Sequence, residues 1–486
     1  MFRIIFITLL IPLLFLHCHS GQPEEKTPPN FIIFIADDIS WNDFGCYGND
    51  IVQTPNIDRI ASEGILFHNT YLTASSCSPS RISIITGRYP HNTGAAELHT
   101  EPEKDFSTIA SILHSKNYYT GHAGKWHMGQ LIKQGFDTVQ VKGIGDGGED
   151  LWIQSLRDRD PDKPFFFWFA SLDAHRPWGK NPMSGVHSPS DIEPPLTLFD
   201  GDSTRKDLAK YYDEIARFDD FVGQVEKELD MQGQLNNTVM IIMADNGRPF
   251  PRDKTRVYDS GMKTPFIIKW PEGITHPGTQ SYSLISSIDL APTLIDLSGN
   301  DIPESFQGKS FQKVLKEPNS EFRQYVFSEH NWHDHEAYER MIRSKDFLYL
   351  INARPQFPNQ GPADALNGLS FKELALNQNS GQLTPAQRDI FVSPRPEEEL
   401  YEVQMDPLQV KNLADDEEYQ DIKSALEVVL KNWMQQTGDY TPDTLTRDWY
   451  SRDSGKRIEK NFQIRGEMPG DKTNATEINY GGGFRE

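Results

Sequence analysis

Three apolar runs, each followed closely by acidic residues, constrain this chain more than any other feature. Phe31–Ala36 leads into Asp37 and Asp38, Phe165–Ala170 into Asp173 and His175, and Thr238–Ala244 into Asp245 and Asn246. Short runs this rich in β-branched and aromatic residues read as strands buried on both faces, and Pro265–Trp270 is a fourth. Helical patterns lie between them. The clearest is the stripe Leu208, Tyr211, Tyr212, Ile215, Phe218, Val222, Val225 and Leu229; Ser107–Lys116 and Asp289–Leu297 read as further helices. The alternation predicts an α/β fold with a mostly parallel central sheet sandwiched by helices. Ligands of such sheets sit beyond the carboxyl ends of the strands. Three strands would therefore deliver carboxylates and a histidine to one edge, an arrangement that core packing does not require.

The pattern changes after about residue 330. Met341–Ile351 alternates like a hairpin strand, Glu399–Met405 resembles another, and Asp416–Thr437 carries a helical stripe of Ile422, Leu426, Val429, Leu430 and Trp433. The expected organisation is a main domain over residues 30–330 and a smaller α+β C-terminal subdomain over 331–486. Arg354–Arg395 and the tail after about Thr441, rich in Pro, Gly, Asn and Asp, read as long surface loops that could border the cleft.

The first 20 residues read as an export signal: Arg3 supplies the positive flank and Ile4–Leu16 an apolar run short for a bilayer. Residues 21–29 form a polar linker. Cys18 follows the apolar run as a lipoprotein anchor would, although Phe15-Leu16-His17 fits that signal poorly, so anchoring stays open. An exported protein of the periplasm or cell surface is expected, attached to a membrane only through that anchor. Lys+Arg 48 against Asp+Glu 70 gives a net charge of -22, which excludes non-specific nucleic-acid binding and confines any anion site to a local basic cluster. Three cysteines, Cys18, Cys46 and Cys77, rule out a disulfide framework.

Chemistry concentrates around Cys77-Ser78-Pro79-Ser80-Arg81, continuing to Thr86-Gly87-Arg88. Pro79 and Ser80 suit a helix start, which would set Cys77 beside a helix N-terminus that favours an anion, with Arg81 one turn on. A plain thiol there would be an activated nucleophile; an unreactive free thiol is the ordinary alternative. Asp37-Asp38 and Asp245-Asn246 offer hard oxygen ligands of the kind calcium or magnesium takes, and no zinc spacing is present. Each acidic pair alone could equally be a turn or a helix cap.

Cys-x-Pro-Ser-Arg followed by Thr-Gly resembles the signature of the formylglycine sulfatases of the alkaline-phosphatase-like superfamily. The likeness runs from about Asn30 to Glu399–Leu413. It is nearest the N-sulfoglucosamine sulfohydrolase-like branch through Leu98-His99, Asp173-Ala174-His175-Arg176 and Asp245-Asn246-Gly247 with Pro249-Phe250-Pro251. It implies an alkaline-phosphatase-like sheet and an enzyme that removes sulfate from a sulfated polysaccharide, such as ulvan or a heparan-type glycan, or from its oligosaccharides. Cys77 would be oxidised to formylglycine (3-oxoalanine) by a formylglycine-generating or anaerobic sulfatase-maturating enzyme. Asp37, Asp38, Cys77, Asp245 and Asn246 would hold Ca2+, with Mg2+ also allowed by the ligand set. Arg81, Lys125, His127, His175 and Lys254 would complete the catalytic group. Lys254 departs from the lysosomal members of that branch, which carry arginine there. His99, Arg176, Trp178, His330, Trp332 and His333 are candidate sugar contacts. Two alternatives stand beside this reading: a phosphodiesterase or phosphonate hydrolase of the same superfamily, and a catalytically silent glycan-binding homologue.

Overall fold

Asn30–Ala36 is the centre of the architecture because neither of its faces meets water; all seven residues are buried. In the computed structural model, which describes residues 27–141, 148–479 and 484, this strand pairs in parallel with Phe165–Ala170 on one side and Thr238–Ala244 on the other. The export signal and Cys18 lie outside the described residues. Tyr119–Gly124 and Thr138–Gln140 continue the parallel order beyond Phe165–Ala170. Beyond Thr238–Ala244 come Phe266–Lys269, Ile65–Phe67 and Thr279–Ser281, which complete eight strands. Only Phe266–Lys269 runs against the rest.

Successive residues of each central strand serve opposite faces. Phe31, Ile33, Ile35, Val239, Ile241 and Met243 pack with Ile82, Leu113 and Leu294 of the helices Cys77–Thr86, Ile109–Ser115 and Leu290–Leu297. Ile32, Phe34, Phe167, Phe169, Met240 and Ile242 pack with Trp152 and the stripe Leu208, Tyr211, Ile215, Phe218 and Val222 of the 30-residue helix Asp202–Met231. Each such burial contributes about 1.5–3 kcal/mol, so both helix layers are tied to the same strands, whose ends they hold in place.

A second, antiparallel sheet begins at Val326–His330 and continues through Glu339–Arg343, Phe347–Asn352 and Glu398–Glu402. The alternating stretch 341–351 is thus a hairpin turned at residues 344–346. Leu426, Leu430 and Trp433 of Gln420–Thr437 close over this sheet, with Trp433 stacked on Phe327 at 4.9 Å.

Two stretches expected as surface loops are more than that. Residues 354–395 contain the helices Ala363–Asn367, Leu369–Asn377 and Pro385–Arg388, and bury Leu374, Leu383 and Ile390 in the main core. The turn-forming residues between these short helices hide their periodicity in sequence. The tail is irregular, yet Trp449 is buried against Trp332, with ring centroids 4.4 Å apart. Among the described residues no helix is long and apolar enough to cross a membrane.

Candidate active site

The parallel register pairs Ala36 with Ala244, so Asp37 and Asp245 leave neighbouring strands at the same level. The Asp245 amide donates to the Ala36 carbonyl at 3.1 Å, and the Asp38 amide donates to Asp245 Oδ1 at 3.3 Å. Asp38 then adopts a φ of 59°, a left-handed conformation that costs a non-glycine residue about 1–2 kcal/mol. From the third strand, Asp173 does not join this group. Arg217 holds it from the long helix, through a bond from Nε at 2.8 Å and a second, shorter one from Nη2. Its neighbour His175 reaches the cleft instead.

Cys77 is the first residue of the helix Cys77–Thr86, with extended Ser76 preceding it. The sequence places that start at Pro79–Ser80. The helix begins earlier because Pro79 occupies the third position, where an N–H has no intrahelical partner and proline is tolerated; the Ser80 amide already reaches the Ser76 carbonyl at 2.9 Å. The expectation of an activated thiol is also corrected. Burial outweighs the attraction of Lys125 and Lys254 and pushes the Cys77 thiol up to about 12. Burial thus favours the thiol form of an unmodified Cys77.

Three cations face the acids. Arg81 donates from Nε to Asp245 Oδ2 at 2.7 Å and from Nη1 to the Lys125 carbonyl at 3.1 Å. Lys125 Nζ is paired with Asp37 Oδ2, and Lys254 Nζ with Asp38 Oδ2 at 2.8 Å and Asp364 Oδ2 at 3.2 Å. Burial alone would raise Asp37, but Lys125, His175, Arg81 and Lys254 together hold it well below the usual carboxylate range. Asp38 goes the other way: burial, reinforced by Asp37 and Asp364 against Lys254 and His175, lifts it to about 6. Burial works against the charge of Lys254, yet Asp364 and Asp38 hold it well above the usual lysine range.

The donor set fits a hard divalent cation. One oxygen each of Asp37 and Asp245 and the Cys77 Sγ lie within 4.8 Å of one another. Asn246 donates from Nδ2 to Asp38 Oδ1, leaving its own Oδ1 buried and without a partner. Two acids, a further Asp and an orphaned amide oxygen are ligands for calcium or magnesium rather than zinc. The Sγ stands where an oxidised residue 77 would carry its oxygen.

Above this group opens a cleft of about 360 Å³, lined by Cys77, His99, Lys125, His127, His175, Lys254 and His333 together with Asp334, Asp364, Asn367 and Tyr450. His99 Nδ1 and His127 Nε2 share a hydrogen bond of 2.8 Å, and His127 Nδ1 has no partner. Burial, then Lys125 and His99, push His127 down to about 2, so its ring is neutral. His175 Nε2 lies 3.9 Å from Asp364 Oδ2.

Four of the six proposed sugar contacts lie elsewhere. Arg176 forms a two-pronged pair with Asp207, at 2.9 and 2.8 Å, and sits over the Trp178 ring at 4.0 Å. Trp178 in turn donates to the Ala174 carbonyl and packs on Tyr211 and Phe250. Trp332 is buried between Trp449 and Arg465, and His330 is bonded to Glu339 at 2.7 Å behind the cleft. Their residue types suited sugar binding, but their side chains are used up in packing and ion pairs. Asp334, Asp364, Asn367 and Tyr450 went unread because they come from irregular or briefly helical segments with no motif around them.

A family model described as "Sulfatase" matches residues 29–146 and 149–300, together more than half of the chain, and "N-sulphoglucosamine sulphohydrolase, C-terminal" matches residues 250–351. An ulvan-active sulfatase of Formosa agariphila is 28% identical, covering 90% of this chain and 82% of its own length. Human N-sulphoglucosamine sulphohydrolase is also 28% identical, covering 85% of this chain and 91% of its own. A solved structure, a complex with its substrate D-glucosamine-2-N,6-O-disulfate, superposes with a TM-score of 0.69 at 21% identity, covering 84% of this chain and 98% of that one.

Proposed function

The chain belongs to the sulfatase family, and from that premise we propose that it removes sulfate from a sulfated polysaccharide or its oligosaccharides, using a formylglycine formed from Cys77 and a bound Ca2+ or Mg2+. It is a hydrolase acting on sulfuric esters. One observation carries the finer reading: Cys77, at a helix N-terminus, meets the strand-end carboxylates of Asp37 and Asp245 and lines one open cleft with Lys125 and Lys254. The acids Asp37, Asp38, Asp245 and Asp364 exceed the cations Arg81, Lys125 and Lys254 by one charge. A divalent cation would reverse that imbalance to one positive charge, which a sulfate monoester, a monoanion, matches.

An aldehyde at residue 77 would add water to give a geminal diol, one hydroxyl of which can attack sulfur while the second later expels sulfate and restores the aldehyde, as a serine hydroxyl or thiol cannot; a bound cation would supply charge that favours the ionised hydroxyl. Asp37, Asp38, Asp245 and Asn246 would hold that cation. Lys125, anchored by Asp37, keeps an ammonium beside residue 77, and Arg81 fixes Asp245 from the side. Lys254 projects a buried positive charge toward the sulfuryl oxygens, preorganised by its two carboxylates. His175, at the open side of the cleft, gives a proton to the leaving sugar oxygen or nitrogen, and neutral His127 takes one up through Nδ1.

The substrate class rests on the relatives: one is named for activity on ulvan and another for N-sulphoglucosamine. Placement in the periplasm or at the cell surface, with or without a lipid at Cys18, rests on the leader sequence, and a sulfatase-maturating enzyme is the partner that Cys77 would need. Sulfate release should be measured on desalted oligosaccharides from ulvan, heparan, chondroitin and carrageenan, beside a phosphate diester and a phosphonate monoester. Release from one glycan class would support the reading. Faster turnover of the phosphorus esters would replace it with the phosphonate hydrolase alternative.

A further inference from the structure

A second cavity lies directly behind the catalytic cleft, and the two share their walls. Lys254 lines the cleft and Arg256 the cavity; His333 and Asp334 line the cleft and His335 the cavity; Tyr450 lines the cleft and Arg452 the cavity. Each of these segments sends one side chain each way. Four guanidiniums, those of Arg256, Arg354, Arg395 and Arg452, face this pocket; Glu399 pairs with Arg395 and Asp448 with Arg452 from outside it, and the carboxylates in its own wall are Glu336 and Glu339.

Those two carboxylates are already engaged. Arg354 is paired with Glu336, Arg395 with Glu339, and Glu339 also takes His330 at 2.7 Å. Arg452 is held by Asp448 at 2.7 and 2.8 Å. Arg256 differs. Its hydrogen bonds go to Thr255, to Asn359 at 3.1 Å and to the His330 ring, all neutral or shared partners, and among the described residues it forms no ion pair although it is only 8% exposed. A buried guanidinium without a counter-ion is costly. Burial pushes it down to about 10, with Glu339 only partly restoring it. At the same wall the Nε donors of Arg395 and Arg354 have no partner.

We infer that this pocket is an anion site, in which Arg256 and the unpaired Nε–H groups of Arg354 and Arg395 bind a small oxyanion, either free sulfate or the carboxylate or sulfate substituent of a sugar next to the one being desulfated. The size of the pocket agrees. Its free space is about 20 Å³, on the scale of one small ion or water and far below a sugar ring. The anion would bring Arg256 a direct counter-charge, and the Nε–H groups of Arg354 and Arg395 the acceptor they lack. Held there, it would lie across a single layer of chain from Lys254, where its occupancy reports either the product or the charge pattern of the glycan. The anion chemistry is independent of the proposed activity; only the sugar-substituent source rests on it.

Crystals of the protein soaked in selenate, a heavy tetrahedral oxyanion, test this by anomalous diffraction. The expected result is a selenium peak beside Arg256, on the side of Arg354 and Arg395, that is lost in Arg256→Gln and kept in Arg256→Lys. Each crystal shows at once whether the variant has folded. No peak in the wild-type pocket, or a peak that survives Arg256→Gln, overturns the inference. A peak in the cleft reports separately on the catalytic reading. A second soak, of Cys77→Ala with a sulfated, uronate-containing disaccharide, distinguishes the sources. A sugar carboxylate or sulfate in the pocket assigns it to substrate, and selenate without sugar assigns it to the free anion.

Discussion

Two buried ionic clusters in this molecule look alike and have opposite characters. At the ends of the central strands, Asp37, Asp38 and Asp245 meet Arg81, Lys125 and Lys254 under an open cleft. Between the large and small sheets, His91, Glu329, Arg340 and Asp439 form a second group. There Arg340 Nη2 donates to Asp439 at 2.8 Å, and Glu329 takes His91 and Asn331, both at 2.9 Å. Distances alone would let His91, Glu329 and Asp439 hold a metal, as they would Asp37, Cys77 and Asp245. The second group, however, already contains the Arg340 guanidinium lying on Asp439, with Glu329 at 3.5 Å. The first has an orphaned ligand oxygen on Asn246 and a path to solvent. Burial of charge marks both, and each keeps an unpartnered ligand atom, Asn246 Oδ1 in the first and His91 Nε2 in the second; the open cleft above it distinguishes the first.

Substitutions should separate these roles. Asp37→Ala is expected to lower kcat for sulfate release by about 10²–10³-fold or more while shifting the thermal midpoint little, as read by paired kinetics and calorimetry. Arg340→Met should do the reverse. Leaving Glu329 and Asp439 without their cation should cost about 3–5 kcal/mol in a urea melt, with kcat per folded molecule unchanged. Equal losses of activity and stability in both variants would break the comparison. Asp364→Asn tests a finer point, since it removes one of the two carboxylates on Lys254. It should lower kcat/KM about tenfold, the size of one charge-assisted hydrogen bond. The smallest effect concerns acid stability. Burial would raise Glu329, but His91 and Arg340 hold it at about 2, below its ordinary 4.5. Its ionised form is the one the fold favours, so its stabilisation is complete above about 4.5 and disappears as pH falls through about 2. Arg340→Met should flatten that acid limb in a pH series of urea melts.

What the sequence disclosed follows from how local each signal is. The central strands were legible because burial on both faces writes an unbroken apolar run, and a parallel sheet then dictates that Asp37 and Asp245 emerge side by side. Cys77, Arg81, Lys125, His127, His175 and Lys254 were named from motifs, and they stand together around the cleft or just beneath it. Arg176, Trp178, His330 and Trp332 were named by residue type, which does not reveal what a side chain already holds; a tryptophan suits a sugar and a core equally. Asp364 gave no local sign at all. Its role arises only when the helix Ala363–Asn367 packs against a lysine 110 residues earlier. The thiol of Cys77 shows the same limit, since its helix N-terminus was visible in sequence but its complete enclosure was not.

The account turns on the chemical state of residue 77, and mass spectrometry of its tryptic peptide in purified enzyme tests that most directly. Fractions of rising specific activity should carry a proportionally rising share of the aldehyde-bearing peptide, and chelation of the divalent cation should abolish turnover in all of them. Fully active protein with an intact Cys77 thiol would contradict the account.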